Sequence, residues 1–200
     1  MNSLNLYVPI FPLPVFLLPQ GITRLRIFEA RYLKMVGIAS KENGFVILFN
    51  RLNDDEVVWG SWVDIINFDH GQDGVLEIDV RCRSLVTIQH LDKDEDNLHF
   101  AKITPMPHWA DTYIDSDTDN KDAVADIAGS LNKLFLANKH LDRLYSEKQF
   151  SHSHWVIARW LELLPLDAKV KENFVIKQGY QEAKSFVHTI LFAPEKNKSI

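Results

Sequence analysis

The sequence predicts an α+β protein, with a small β-barrel or sandwich first and a helical bundle after it. Three observations carry this. From Thr23 to Ile103, apolar and polar residues alternate in short runs separated by turn signals, the pattern of short paired strands. From about Asp119 the period lengthens to that of a helix. Between them, Asp111 to Asp122 is rich in Asp, Ser, Thr and Asn and reads as a linker, which sets the expected domains at 1–112 and 118–195.

Val8 to Val36, VPIFPLPVFLLPQGITRLRIFEARYLKMV, organises the rest. Pro9, Pro12, Pro14 and Pro19 each remove a backbone donor and fix φ, which rules out a helix and places two apolar runs as short strands at sheet edges, strand starts or bends. Gln20-Gly21 signals a turn. Thr23, Leu25 and Ile27 then alternate with Arg24, Arg26 and Phe28 as a half-buried strand. A helix is expected near Glu29, whose charge complements the exposed N–H groups of a first turn, with Tyr32, Met35, Val36 and Ala39 on one apolar face.

Further strands follow at Phe45 to Phe49, after which Asn53-Asp54-Asp55 turns, and at Val57 to Phe68, where Gly60 signals a bulge or a close backbone approach. Asp69 to Gly74 is a turn-rich loop. Val75 to Arg81 reads as one strand with a wet face, Leu85 to Leu91 as its partner, and Leu98 to Ile103 as the last, with Asp92 to Asp96 as a hairpin tip and Thr104-Pro105-Met106-Pro107 ending the sheet. In the second half, Val124, Ile127, Leu131, Leu134, Phe135, Leu141 and Tyr145 form one stripe along a long helix capped by Asp119 or Thr118. Trp155 to Leu164 is a helix stopped by Pro165; Asp167 caps another that Gly179 closes, with Lys177 in its last turn. Tyr180 to Leu191 is the last helix, and Pro194 to Ile200 a frayed tail.

At 200 residues and 46% apolar composition the chain can bury a real core. No apolar run approaches the roughly 20 residues that span a bilayer, and no Lys or Arg precedes Arg24, so neither a membrane span nor a signal peptide is expected, and the location is read as cytoplasmic. The single Cys82 excludes an internal disulfide and a multi-Cys zinc site. A net charge of −5 argues against nucleic acid as a partner.

FPLPVFLLPQG followed by LRIFEARYLKMV resembles the opening signature of the Lon protease N-terminal (substrate-binding) domain family. GFVILF at Gly44, GSWVDIINF at Gly60, VRCRSLVTI at Val80 and WLELLPLDAKVKENFV at Trp160 extend the resemblance over residues 5 to about 178. Ala30 stands where the family usually has proline, Gln20 precedes the turn glycine, and Trp62 is bulkier than usual. The resemblance implies a PUA-like β domain with a helical bundle behind it, in a stand-alone form without the ATPase and protease parts. It further implies a non-catalytic module that recognises unfolded or exposed polypeptide segments, an adaptor in protein quality control with a protease or other protein as a further partner.

The chemical motifs agree with a non-enzyme without cofactor or metal. No G-x-x-x-x-G-K-[ST], G-x-G-x-x-G, H-E-x-x-H or G-x-S-x-G occurs. His152 and His154 flank Ser153 without a carboxylate or Cys to complete a metal set, and read as a loop in which Ser151 or Ser153 caps the next helix. Asp69, His70 and Ser84 read as turn residues rather than a triad. Arg26, Phe28, Glu29, Arg31 and Tyr32 are the structural signature, the charges serving either a partner or the ion pairs of a strand-to-helix corner, with the corner expected. Trp59, Trp62 and Trp109 are the candidate polypeptide-binding residues. Positions 59 and 62 cannot share one face of a strand, so at least one indole is exposed unless a helix or another chain covers it. Two alternatives remain open: an RNA-binding PUA-like protein, with a weak basic cluster at Arg81 and Arg83, and an enzyme with a site between barrel and bundle.

Overall fold

In the computed structural model, which describes residues 6–49, 59–111, 121–176 and 179–192 (side chains of 121–123 excepted), β1 (Leu6–Pro12) is the strand that closes the sheet. It pairs in parallel with β3 (Phe45–Leu48) through Ile10 to Pro12, and antiparallel with β6 (His99–Met106) through Leu6 to Ile10. Pro9 therefore has only β6 beside it and Pro12 only β3, so neither missing donor interrupts a ladder on both sides. β4 (Trp59–His70) pairs with β3 and with β5 (Leu76–Lys93), and β5 pairs with β6, which completes a ring of five strands. β2 (Ile22–Ile27) lies outside that ring, on the first half of β5.

β5 is one strand of 18 residues where two were expected. Arg81-Cys82-Arg83-Ser84 holds no turn former, and it stays paired: Cys82 lies opposite Val63 and Ser84 opposite Trp62. Arg83 is the extra residue of a bulge. A bulge exchanges the two faces of a strand, so Ile78, Val80 and Cys82 face one side of the sheet while Val86 and Ile88 face the other. Val8, Ile10, Val46, Leu48, Trp62, Val86, Ile88, Ala101 and Ile103 form one buried cluster drawn from all five ring strands. The sheet also runs further than expected, to Met106, with Pro105 opposite Val86.

The second proline-punctuated run is not a strand. Leu13 to Pro19 crosses the opposite face of β4 as an irregular arm, where Ser61 Oγ donates to the Leu17 carbonyl at 2.6 Å and the Phe16 ring meets that of Trp59. Gln20 follows with φ of 66°, and its N–H donates to the Cys82 carbonyl at 2.8 Å. After β2, the chain turns into α1 (Ala30–Ala39), with Glu29 at the N-cap and Tyr32, Met35, Val36 and Ala39 buried. The acidic hairpin tip is present: Asn97 donates to Asp94 and Asp94 to Leu98, between β5 and β6.

Contacts divide the chain into two compact units, Met1–Asp111 and Thr112–Ile200. In the second, the stripe expected on one helix is carried by α2 (Lys121–Ala137), α3 (Lys139–Leu144) and Tyr145, the C-cap of α3. Asn138 separates them because its side chain accepts from His140 and Leu141 N–H groups, which starts a new helix rather than continuing the old one. α4 (Ser153–Leu163) is apolar nearly all round and buried from His154 to Leu161, as befits a central helix. Its N-cap is His152, whose side chain makes no capping bond, rather than a serine. Trp155 meets Phe135, Tyr145 and Phe150, and Trp160 Nε1 donates to the Ile127 carbonyl at 3.1 Å. α5 (Ala168–Ile176) begins where the Asp167 carbonyl accepts from Val170 and Lys171, and α6 (Tyr180–Phe192) completes the unit. The expected turn at Asn53 to Asp55, caps at Thr118 and Asp119, Lys177 and the tail from Pro194 lie outside the described residues.

Candidate functional site

Two of the three candidate tryptophans are core residues. Trp59 is 3% exposed, its ring packed against those of Phe16 and Phe49, which also meet each other, on one face of β4. Trp62 is 7% exposed on the other face, inside the ring cluster, with Nε1 donating to the Asn43 carbonyl at 2.6 Å and the Arg83 guanidinium 4.2 Å above its ring. Neither indole is left exposed: around them both faces of β4 are covered within the β unit, Trp62 by the ring interior and Trp59 by the proline-rich arm. Trp109 is half-buried in a single 3-10 turn (Trp109–Asp111), tilted against the His108 ring.

The strand-to-helix corner holds its charges locally. Glu29 pairs with Arg31 at 2.7 Å, and Arg31 lies 4.7 Å over the ring of Tyr32, which is itself packed on Phe11. Arg26 pairs with Asp73 and lies 3.7 Å from Glu77. Phe28 is the exception within the signature: 74% exposed, it stands at the surface rather than in the structure it was grouped with. It occupies N′ of α1 and Leu33, also exposed, occupies N4, the two positions that a hydrophobic staple joins.

β2, the first half of β5 and the far end of β4 form a three-stranded extension with unlike faces. Cross-strand rows Arg24–Asp79–Asn67 and Arg26–Glu77–Asp69 occupy one face. Arg24 donates to both carboxylate oxygens of Asp79, at 2.7 and 3.0 Å, and reaches Asp69 and Glu77 at 3.1 Å each. Its hydrogen bond to Asp79 raises its already high pKa further. Asn67 donates to Asp79 at 3.0 Å. On the opposite face the row is Leu25, Ile78 and Phe68. The first two are buried, while Phe68, on the outermost strand, is 52% exposed, and Ile66 is exposed beside it. Lys34 ties α1 to the hairpin tip through Asp94 at 2.8 Å and through Asp96, and its hydrogen bond holds the Asp94 carboxyl below its ordinary range.

The catalytic candidates do not converge. Ser84 lies opposite Trp62 and His70 opposite Leu76, eight residues apart along β5, or roughly 26 Å at strand rise. Asp69 accepts from the backbone N–H of His70 and pairs with Arg24. His154 is buried against Tyr180, and Ser151 and His152 meet each other at 3.3 Å. Among the described residues, no three His, Cys, Asp or Glu side chains are grouped to hold a metal ion. Cys82 is buried. The basic cluster thins out, since Arg83 pairs with Asp64 beside Trp62. No described helix is long and apolar enough to cross a membrane.

Sequence reasoning missed Ile66 and Phe68. The signal was Ile65-Ile66, two adjacent apolar residues that break the alternation of β4; a bulge there makes Ile66 the extra residue and carries Phe68 onto the face of Ile78. With this geometry in place, comparison with known proteins is informative. The family model described as ATP-dependent protease La (LON) substrate-binding domain matches residues 7–173. A Lon N-terminal domain protein from Xanthomonas campestris is similar in structure, with a TM-score of 0.65 at 24% identity over 94% of this chain and 99% of that one. The N-terminal domain of the Mycobacterium avium complex Lon protease has a TM-score of 0.52 at 13% identity over 90% and 95%. No curated protein matches in sequence.

Proposed function

The chain belongs to the ATP-dependent protease La (LON) substrate-binding domain family, and from that premise we propose that it is a non-catalytic polypeptide-recognition module. The family match, running from β1 into α5, is the observation that carries the reading. The surface of the β unit supports it: Phe28, Leu33, Ile66 and Phe68 are large apolar groups in water, the kind that anchor weak contacts with exposed segments of other chains. With Trp59 and Trp62 in the core, the contact role passes to these residues and to the half-buried Trp109. These 200 residues carry no phosphate loop or hydrolytic motif, so unfolding or cleavage of whatever is bound would fall to another part or chain. The role that follows is an adaptor in protein quality control in the cytoplasm, delivering damaged or unfolded chains to a protease or another protein.

The test is a fluorescence-anisotropy titration against a labelled, permanently unfolded polypeptide, with its folded parent as control. Micromolar binding to the unfolded form alone is expected, about five- to tenfold weaker for Phe28→Ala, the range of an aromatic anchor. Equal affinity for folded and unfolded forms would sink the proposal.

A further inference from the structure

The geometry points to the outer edge of β4, Ile66 to His70, as a docking strand for extended polypeptide in which apolar residues alternate with basic ones. This rests on the proposed recognition of polypeptide and names the substrate class. Outside the ring, β2 and the far end of β4 are the two edges of the three-stranded extension: β4 pairs with β3 only through Ser61 to Val63, and beyond that only with β5. Among the described residues, no strand lies on the far side of Ile66 to His70.

Backbone direction follows from the ladder. Cys82 N–H donates to Gly21 O and the Cys82 carbonyl accepts from Gln20 N–H, so Cys82 turns both backbone groups toward the β2 side; alternate residues of β5, including Ile78, therefore bond to β2, and Glu77 and Asp79 bond to β4. Their partners Asp69 and Asn67 face inward, and Phe68 turns its N–H and C=O outward. The His70 N–H is already held by Asp69 Oδ1, and the bulge limits the edge at its start, so the docking strand is short.

Side chains set the chemistry. An added strand would extend the row Leu25–Ile78–Phe68 with an apolar residue, covering a ring that is otherwise half in water. On the other face its next residues would lie beside Asn67 and the exposed Asp69. Asp69, Asp73, Glu77 and Asp79 outnumber Arg24 and Arg26 there, and the whole chain is acidic, so the neighbouring residue and the wider field both favour Lys or Arg. The opposite edge, β2, presents two arginines, an arrangement that guards an edge strand against pairing.

Fluorescein-labelled nine-residue peptides test this by anisotropy: alternating valine and lysine, alternating valine and glutamate, the valine–lysine composition in two blocks, and the alternating valine–lysine peptide N-methylated at every second residue in either phase. The alternating valine–lysine peptide should bind at least tenfold more tightly than the glutamate or block peptides. One N-methylation phase should abolish binding and the other leave it within twofold, because only one phase aims donors at β4. Phe68→Ala, at an exposed position, should weaken binding about fivefold. Equal binding of both N-methylated phases, or of the glutamate peptide, overturns the inference. If the long unfolded polypeptide binds while none of these peptides does, edge pairing falls and polypeptide recognition stands; if neither binds, both fall.

Discussion

Replacing Trp62 with alanine separates a structural indole from a binding one. A buried tryptophan removes 150–250 Å² from water, worth about 4–6 kcal/mol at roughly 25 cal/mol per Å², and measured Trp→Ala costs in cores run about 3–5 kcal/mol. The ring cluster around Trp62 comes from five strands that hold one another in register, so it cannot collapse freely into the space left behind. The lost bond to Asn43 adds at most about 1 kcal/mol, because that residue is exposed and its carbonyl can turn to water. The Arg83 contact, at a half-exposed guanidinium, adds about 0.5 kcal/mol. A loss of about 4 kcal/mol is expected, a large part of the roughly 5–15 kcal/mol a domain has. Trp62→Phe, which keeps most of the volume, should cost about 1–2 kcal/mol. Urea unfolding followed by far-UV circular dichroism measures both. A Trp62→Ala protein within 1 kcal/mol of the parent, with binding of unfolded polypeptide reduced, would put the indole at the surface and refute the packing argument.

Two further outcomes are expected. Burial, then Lys93 and Arg31, lowers the His99 pKa below its ordinary 6.5, so the unfolded state takes up its proton first; this contribution to stability is complete above about pH 6.5 and is lost as pH falls toward the folded value. The urea midpoint should therefore drop on acidification from pH 7.5 to 5, and less so in His99→Gln. Gly60→Ala should destabilise by about 1–3 kcal/mol, since a Cβ there would stand 2.4 Å from Val46 Cγ1 and 2.8 Å from the Ile47 carbonyl, and backbone cannot yield as a side chain does; an unchanged urea midpoint would contradict it.

How far the fold could be read from residues depended on whether the signal was local. β2 and the helix start near Glu29 were legible because alternation and a period of 3.6 act within a few residues of each other. Gly60 announced a close approach, and the approach is there. The break at Asn138 was missed because an internal cap looks like one more polar residue on a helix face. β5 was divided in two because a bulge at Arg83 imitates a phase change, and whether a phase change is a turn or a bulge depends on whether β4 continues alongside, a contact some twenty residues away. The candidate surface was legible only in part. Around Trp59 and Trp62 both faces of β4 are covered by segments from elsewhere in the chain, which no pattern within β4 reports, so whether either indole is buried was not legible; Phe68 went unremarked because its exposure comes from the end of a sheet.

The position of β1 in the ring has a consequence for synthesis. Val8 pairs with Ala101, so β1 is made before a neighbour that follows roughly 90 residues later. At about 5–20 residues per second, that is roughly 5–20 s in which the Leu6 to Pro9 part of β1 is outside the ribosome without its partner strand, although β3 can join Ile10 to Pro12 sooner. Pro9, Pro12, Pro14 and Pro19 fall within this very segment, and each removes a donor that a stray strand from a neighbouring nascent chain would need. In the finished ring they cost little, since Pro9 and Pro12 lie where β1 has one neighbour and Pro14 and Pro19 where it has left the sheet. The same residues that shape the start of the fold thus act as its escort until the last strand of the ring emerges.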